Sequence, residues 1–132
     1  MILASKSLRG IVKLKTLCVG SEFAQWNEHL PQSKFPRNVL AHTDDFSFVI
    51  ESRLDKALDI IFDDQDIDLI FLDADHDTLS ELIIYITQVQ EIRPQLPIVV
   101  FTNDIDNKMR HLMKAGATWH FTKKLDHLNQ LV

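Results

Sequence analysis

Asp73, Thr102 and Lys123 each close an apolar, strand-like run, and together they offer a carboxylate, a hydroxyl and an ammonium. The runs are Ile67-Asp68-Leu69-Ile70-Phe71-Leu72, Pro97-Ile98-Val99-Val100-Phe101 and Thr118-Trp119-His120-Phe121-Thr122. In an open parallel sheet the carboxyl ends of the strands face one crevice, which is where such folds bind ligands. A carboxylate accepts a phosphoryl group, a hydroxyl hydrogen-bonds to its oxygens, and an ammonium balances their charge. The ordered set points to phosphoryl chemistry. Taken singly, Asp73 reads as a loop or helix-capping aspartate, because Asp favours turns, and Thr102 as a cap on the next turn. Lys123 has a rival in Lys124, since a one-residue slip turns a strand side chain to the opposite face; the spacing prefers Lys123.

The elements that must position these groups alternate between strand and helix. Leu14 to Val19 forms a first strand, broken by Gly20-Ser21, and Glu22 to Leu30 has helical character until Pro31 and Pro36. Residues 31–45 read as a connection. Phe46-Ser47-Phe48-Val49-Ile50 is β-branched and aromatic, which suits a second strand. Leu54, Ala57, Leu58, Ile61 and Phe62 recur at helical spacing. The 67–72 run is apolar on both faces apart from Asp68, as expected of a central parallel strand covered above and below.

Thr78-Leu79-Ser80-Glu81 matches a capping box and opens a helix carried by Leu79, Leu82, Ile83, Ile86 and Val89. Pro94 and Pro97 bracket the passage into the 98–101 strand. Ile105, Met109, Leu112 and Met113 give another stripe, with Gly116 as a left-handed C-cap. A short last helix follows Lys124, carried by Leu125, Leu128, Leu131 and Val132, as in a piece of a longer protein or a sheet left partly uncovered. These alternations predict an α/β, flavodoxin-like, doubly wound sheet of five parallel strands in the order 2-1-3-4-5, with helices on both faces.

The chain has 132 residues, about one domain, with residues 1–13 as a basic N-terminal tail and residues 14–132 as the domain. Hydrophobic residues at 45% and charged residues at 25% fit an ordinary globular protein and disfavour disorder. Cys18, the only cysteine, sits in an apolar run and reads as a core residue, so no cysteine-based metal site is available. No apolar stretch reaches the roughly 20 residues of a bilayer span. A net charge of −5 disfavours direct nucleic-acid binding, which draws its affinity from Lys and Arg. Lys6, Arg9, Lys13 and Lys15 make the start basic, without the apolar core of a secretory signal. The Asp63-Asp64-Gln65-Asp66 cluster reads as a solvated loop.

Read together, "IDLIFLD" at Asp73, "LPIVVFT" at Thr102 and "AGATWHFTKK" at Lys123 resemble the receiver domain of two-component response regulators, the CheY-like domains. The similarity runs over nearly the whole chain and is strongest from Lys56 to Lys124, where "KALDII", "EIRPQLP" and "MKAGA" add to it. The resemblance implies a cytoplasmic signalling domain, not an enzyme. In it Asp73 accepts a phosphoryl group from a histidine kinase or phosphotransfer protein, Thr102 and Lys123 contact the phosphate, and a downstream protein reads the result.

The departures define an atypical member. Typical receivers end the first strand with two adjacent acids that hold Mg²⁺; here Gly20-Ser21 stand there and Glu22 comes one position later. The resemblance leaves Asp73 and Glu22 as the Mg²⁺ ligands, with Asp75 or Asp77 as substitutes. Ala74-Asp75-His76-Asp77-Thr78 lacks the family's Pro and Gly, Lys124 replaces the proline that follows its lysine, and His120 stands at its aromatic switch position. His120 reads either as a pH reporter or as an edge-strand histidine without a switching role. One alternative is therefore a non-phosphorylated pseudo-receiver acting as a protein-interaction module. A remote one takes Asp73-Ala74-Asp75 as the DxD pair of a haloacid-dehalogenase-type phosphatase, although Asp77 departs from that motif and only the isolated Asp126 follows Lys123.

Overall fold

The computed structural model describes residues 14–20, 23, 46–104 and 106–122. Five strands, β1 (Leu14–Val19), β2 (Phe46–Glu51), β3 (Leu69–Asp73), β4 (Ile98–Thr102) and β5 (Trp119–Thr122), form one parallel sheet in the order β2-β1-β3-β4-β5. Three described helices connect them: α1 (Leu54–Asp63), α2 (Leu79–Ile92) and α3 (Lys108–Ala115). This is the flavodoxin-like order read from the alternation of elements.

β3 lies at the centre and is buried along its whole length, which explains its almost unbroken apolar sequence. Alternate residues of the strands serve two cores. Leu17, Val19, Ile70, Leu72, Ile98 and Val100 pack against Ala57 and Ile61 of α1, Leu82 and Ile86 of α2, and Leu112 of α3. The opposite face is aromatic, built on Cys18, Phe23, Leu69, Phe71 and Phe101. Ring contacts run across it from Phe48 to Phe71 to Phe101 to Phe121, with Phe23 edge-on to Phe101 at 6.0 Å. Such contacts add about 0.5–1.5 kcal/mol each beyond buried area.

The capping box at the start of α2 forms as read: the Thr78 hydroxyl accepts the Glu81 N–H, and the Glu81 carboxylate accepts the Thr78 N–H. β3 begins at Leu69 and not Ile67, because Asp68 is spent on the edge of β1. Its backbone N–H donates to the Lys15 carbonyl and its carboxylate accepts the Lys15 N–H, both at 2.8 Å. That pairing is how a carboxylate only 3% exposed is kept satisfied.

The acidic cluster is solvated as read, with Asp63, Gln65 and Asp66 exposed, while Asp64 forms an ion pair with Lys15 and accepts the Asp66 N–H. The helical stripe expected from Ile105 starts at Lys108, because the preceding residues form a turn: Asp104 donates to the Thr102 hydroxyl and accepts from Asn107. Gly116 ends α3 at φ 129, positive but well beyond the left-handed helical value expected of the cap. The tail over residues 1–13, the 22–30 helix apart from Phe23, and the helix after Lys124 lie outside the described residues.

Candidate functional site

Parallel pairing carries the candidate groups to one edge of the sheet. Asp73 is the last residue of β3 and stands opposite Phe101 on β4, so that Thr102 follows on the neighbouring strand end. The Ala74 N–H continues the ladder by donating to the Phe101 carbonyl at 2.9 Å. Asp73 is 1% exposed and Thr102 is fully buried. Lys123 and Glu22, the expected ammonium and the second expected metal ligand, lie outside the described residues.

Asp75 connects the two described candidates. Its backbone N–H donates to Asp73 Oδ1 at 3.1 Å, an Asx-type turn that orients the Asp73 carboxylate. Its own carboxylate points across to β4, where Oδ1 accepts the Thr102 hydroxyl at 2.6 Å and both oxygens lie 3.2 Å from the Asn103 N–H. The first of these is a short, charge-assisted bond. Thr102 Oγ1 in turn accepts the Asp104 N–H at 3.0 Å, so the hydroxyl caps the following turn while it also donates to Asp75.

Two cationic or titratable groups near the crevice gave no sign of it in the sequence. His76 places Nε2 3.7 Å from Asp73 Oδ2 while its side chain stays half-exposed. Lys108, the first residue of α3, donates from Nζ to the carbonyls of Ala74 at 2.7 Å and Asp77 at 3.0 Å. A lysine that binds backbone carbonyls of a distant loop has no side-chain partner to betray it in a one-dimensional pattern. The Asp77 carboxyl is pushed above the ordinary carboxylate range by burial, with the charges of Glu81 and Asp73 adding to the shift and His76 and Lys108 opposing it.

Gly20 occupies the position where the resemblance expects a metal-binding acid. Its N–H pairs with the Glu51 carbonyl at 2.8 Å, extending β1, and its φ is +140. A Cβ built there would collide with Asp73 Cβ and lie 3.2 Å from Asp73 Cγ and Oδ2. The close approach of Gly20 to Asp73 leaves no room for a carboxylate side chain at that position. Among the described residues no cluster of three or more His, Cys, Asp or Glu side chains could hold a metal ion. Asp75 has its carboxylate directed to Thr102 and Asn103.

The phosphatase alternative expects its nucleophile on the first core strand, whereas Asp73 ends the third of the described strands. His120 is exposed on β5 and stacks on Trp119, itself 59% exposed, at a centroid distance of 6.4 Å. Phe121, partly buried, instead packs against the aromatic core. No helix among the described residues is long and apolar enough to cross a membrane.

No protein-family model matches this chain, and no curated protein matches it by sequence. Solved structures do match by fold. A CheY-like response regulator receiver domain protein from Methanospirillum hungatei aligns at a TM-score of 0.65 and 14% identity, over 90% of this chain and 88% of that one. The chemotaxis protein CheY4 of Vibrio cholerae aligns at 0.64 and 16% identity, over 92% of this chain and all of that one. A CheY-like protein (TadZ) from Pseudomonas aeruginosa aligns at 0.60 and 18% identity, over 91% of each chain. The chain has the CheY-like receiver fold.

Proposed function

We propose that this chain is a receiver-type signalling domain that acts as a protein-interaction module, with a crevice occupied by its own side chains. The carrying observation is the contact of Gly20 with Asp73. Transfer of a phosphoryl group is mostly positioning and charge neutralisation, and in receivers Mg²⁺ supplies much of that neutralisation. Mg²⁺ demands a near-octahedral set of oxygens. Where a second carboxylate would stand, this chain has a glycine packed on the acceptor itself. The partner on this reading is a downstream protein that recognises the domain without a phosphorylation step.

A second reading keeps Asp73 as the phosphoacceptor for a histidine kinase or phosphotransfer protein. It is favoured by the placing of Asp73 and the Thr102 hydroxyl on adjacent strand ends. Lys123, and Mg²⁺ held by Asp73 and Glu22, would complete that chemistry.

An amide NMR titration with Mg²⁺ and beryllofluoride separates the two, with Asp73→Ala as control. The interaction-module reading expects no change around residues 73–77 and 102–104 at millimolar Mg²⁺. Shifts that need both Asp73 and Mg²⁺ would overturn it in favour of the phosphoacceptor.

A further inference from the structure

The geometry points to Asp75 as a built-in anionic ligand of the strand β4 terminus, a carboxylate held in cis where the Thr102 hydroxyl and the Asn103 N–H would otherwise receive an external oxyanion. This deepens the interaction-module reading by saying what keeps the crevice in one state. A hydroxyl and a backbone N–H converging on one point form a small anion hole. Here both are directed at one carboxylate, Thr102 at 2.6 Å and Asn103 at 3.2 Å from each oxygen. Asp75 turns its N–H toward Asp73 Oδ1 and its carboxylate toward the end of β4.

The contact is wired into α3. With its proton given to Asp75, Thr102 Oγ1 is left with lone pairs, one of which takes the Asp104 N–H. Asp104 then accepts the Asn107 N–H through its side chain and the Met109 N–H through its carbonyl, which sets the start of α3. Lys108 closes the circuit from the other side by donating to the Ala74 and Asp77 carbonyls, which flank Asp75 in the chain. The β3–α2 loop and the β4–α3 turn are thereby tied together twice, once through an anion and once through a cation. The position of α3 relative to β5, with its exposed Trp119 and His120, is set by a residue of the chain itself and needs no added phosphate.

The test is chemical rescue followed by amide NMR and hydrogen exchange on the full chain. In Asp75→Ala, the Asn103 amide should exchange faster by about tenfold or more, as expected on losing a bond to a charged acceptor. The amides of Thr102, Asp104 and Met109 should shift with it. Sodium formate, a free carboxylate small enough for the vacated space, should return the Asn103 amide toward its wild-type shift and slow its exchange, while leaving wild type unchanged. Asp75→Asn, which keeps the size but not the charge, should show a smaller loss and no formate response.

An Asn103 amide unaltered in Asp75→Ala, or altered but indifferent to formate, overturns the assignment. An Asn103 change without any change at Asp104 and Met109 overturns the coupling to α3. Because no arm uses beryllofluoride or Mg²⁺, failure here is distinct from failure of the interaction-module reading.

Discussion

Gly20→Ala adds one methyl group at the tightest point of the crevice, and two costs follow from its surroundings. The new Cβ collides with Asp73 Cβ, which belongs to the rigid start of a side chain on the central strand and cannot swing away. Overpacking of that kind costs about 1–3 kcal/mol. In addition, φ at Gly20 is +140, a conformation essentially confined to glycine, whose adoption by another residue costs about 1–3 kcal/mol. Against these stands the gain from a stiffer unfolded chain, about 0.4–1 kcal/mol, which elsewhere makes Gly→Ala favourable. The costs win, and the net loss is about 1–6 kcal/mol. Equilibrium urea unfolding followed by circular dichroism reads this directly, since an m-value of about 1–3 kcal/mol/M turns the loss into a midpoint lower by about 0.3 M or more. Gly20→Asp, which would restore the acid of a typical receiver, should be at least as destabilised and gain no Mg²⁺ affinity. A Gly20→Ala midpoint within experimental error of wild type would refute the argument that position 20 is closed to side chains.

Other outcomes test the surrounding structure. Thr78→Ala removes the hydroxyl half of the α2 capping box and should lower stability by about 1 kcal/mol, read as a lower thermal midpoint, while Thr78→Ser should recover most of it. Cys18 is fully buried and its thiol is pushed well above the ordinary range by desolvation, so iodoacetamide should label it only after denaturation; rapid labelling of the folded chain would contradict the packing of β1. Hydrogen bonds from Lys15 and the Asp66 N–H hold the Asp64 carboxyl below the usual carboxylate range. Its contribution is therefore present above the unfolded value of about 3.9 and lost as pH falls through the lower folded value. The urea midpoint of Asp64→Asn should trail wild type at neutral pH by a small amount, as for an exposed pair. That gap should close in strong acid, and a gap that widened there would reverse the assigned sign.

The order and type of the described elements were legible in the chain because period-2 and period-3.6 patterns report which faces are buried. The 67–72 run, apolar on both faces, reads as a central strand, and β3 is one. Capping chemistry is equally local, and Thr78 with Glu81 forms the expected box within four residues. Boundaries were less legible where a side chain is drafted by a distant element. Asp68 reads as part of a strand but serves the backbone of Lys15, and the turn before α3 is held by Thr102 and Asp104, which delays the helix to Lys108.

Asp73 and Thr102 were identifiable as candidates because residues at strand ends share a crevice in any parallel sheet, whatever the loops do. What the crevice contains was decided only in three dimensions. That Gly20 lies against Asp73 depends on the β1–β3 pairing, and its meaning changes from a missing acid to a space that excludes one. That Asp75 serves Thr102 and Asn103, and Lys108 the carbonyls of Ala74 and Asp77, depends on the meeting of two loops whose residues lie 27 to 34 positions apart. Hydrogen bonds between loops leave no period in a sequence, because their geometry is set by where the strands end and not by the spacing of residues within either loop.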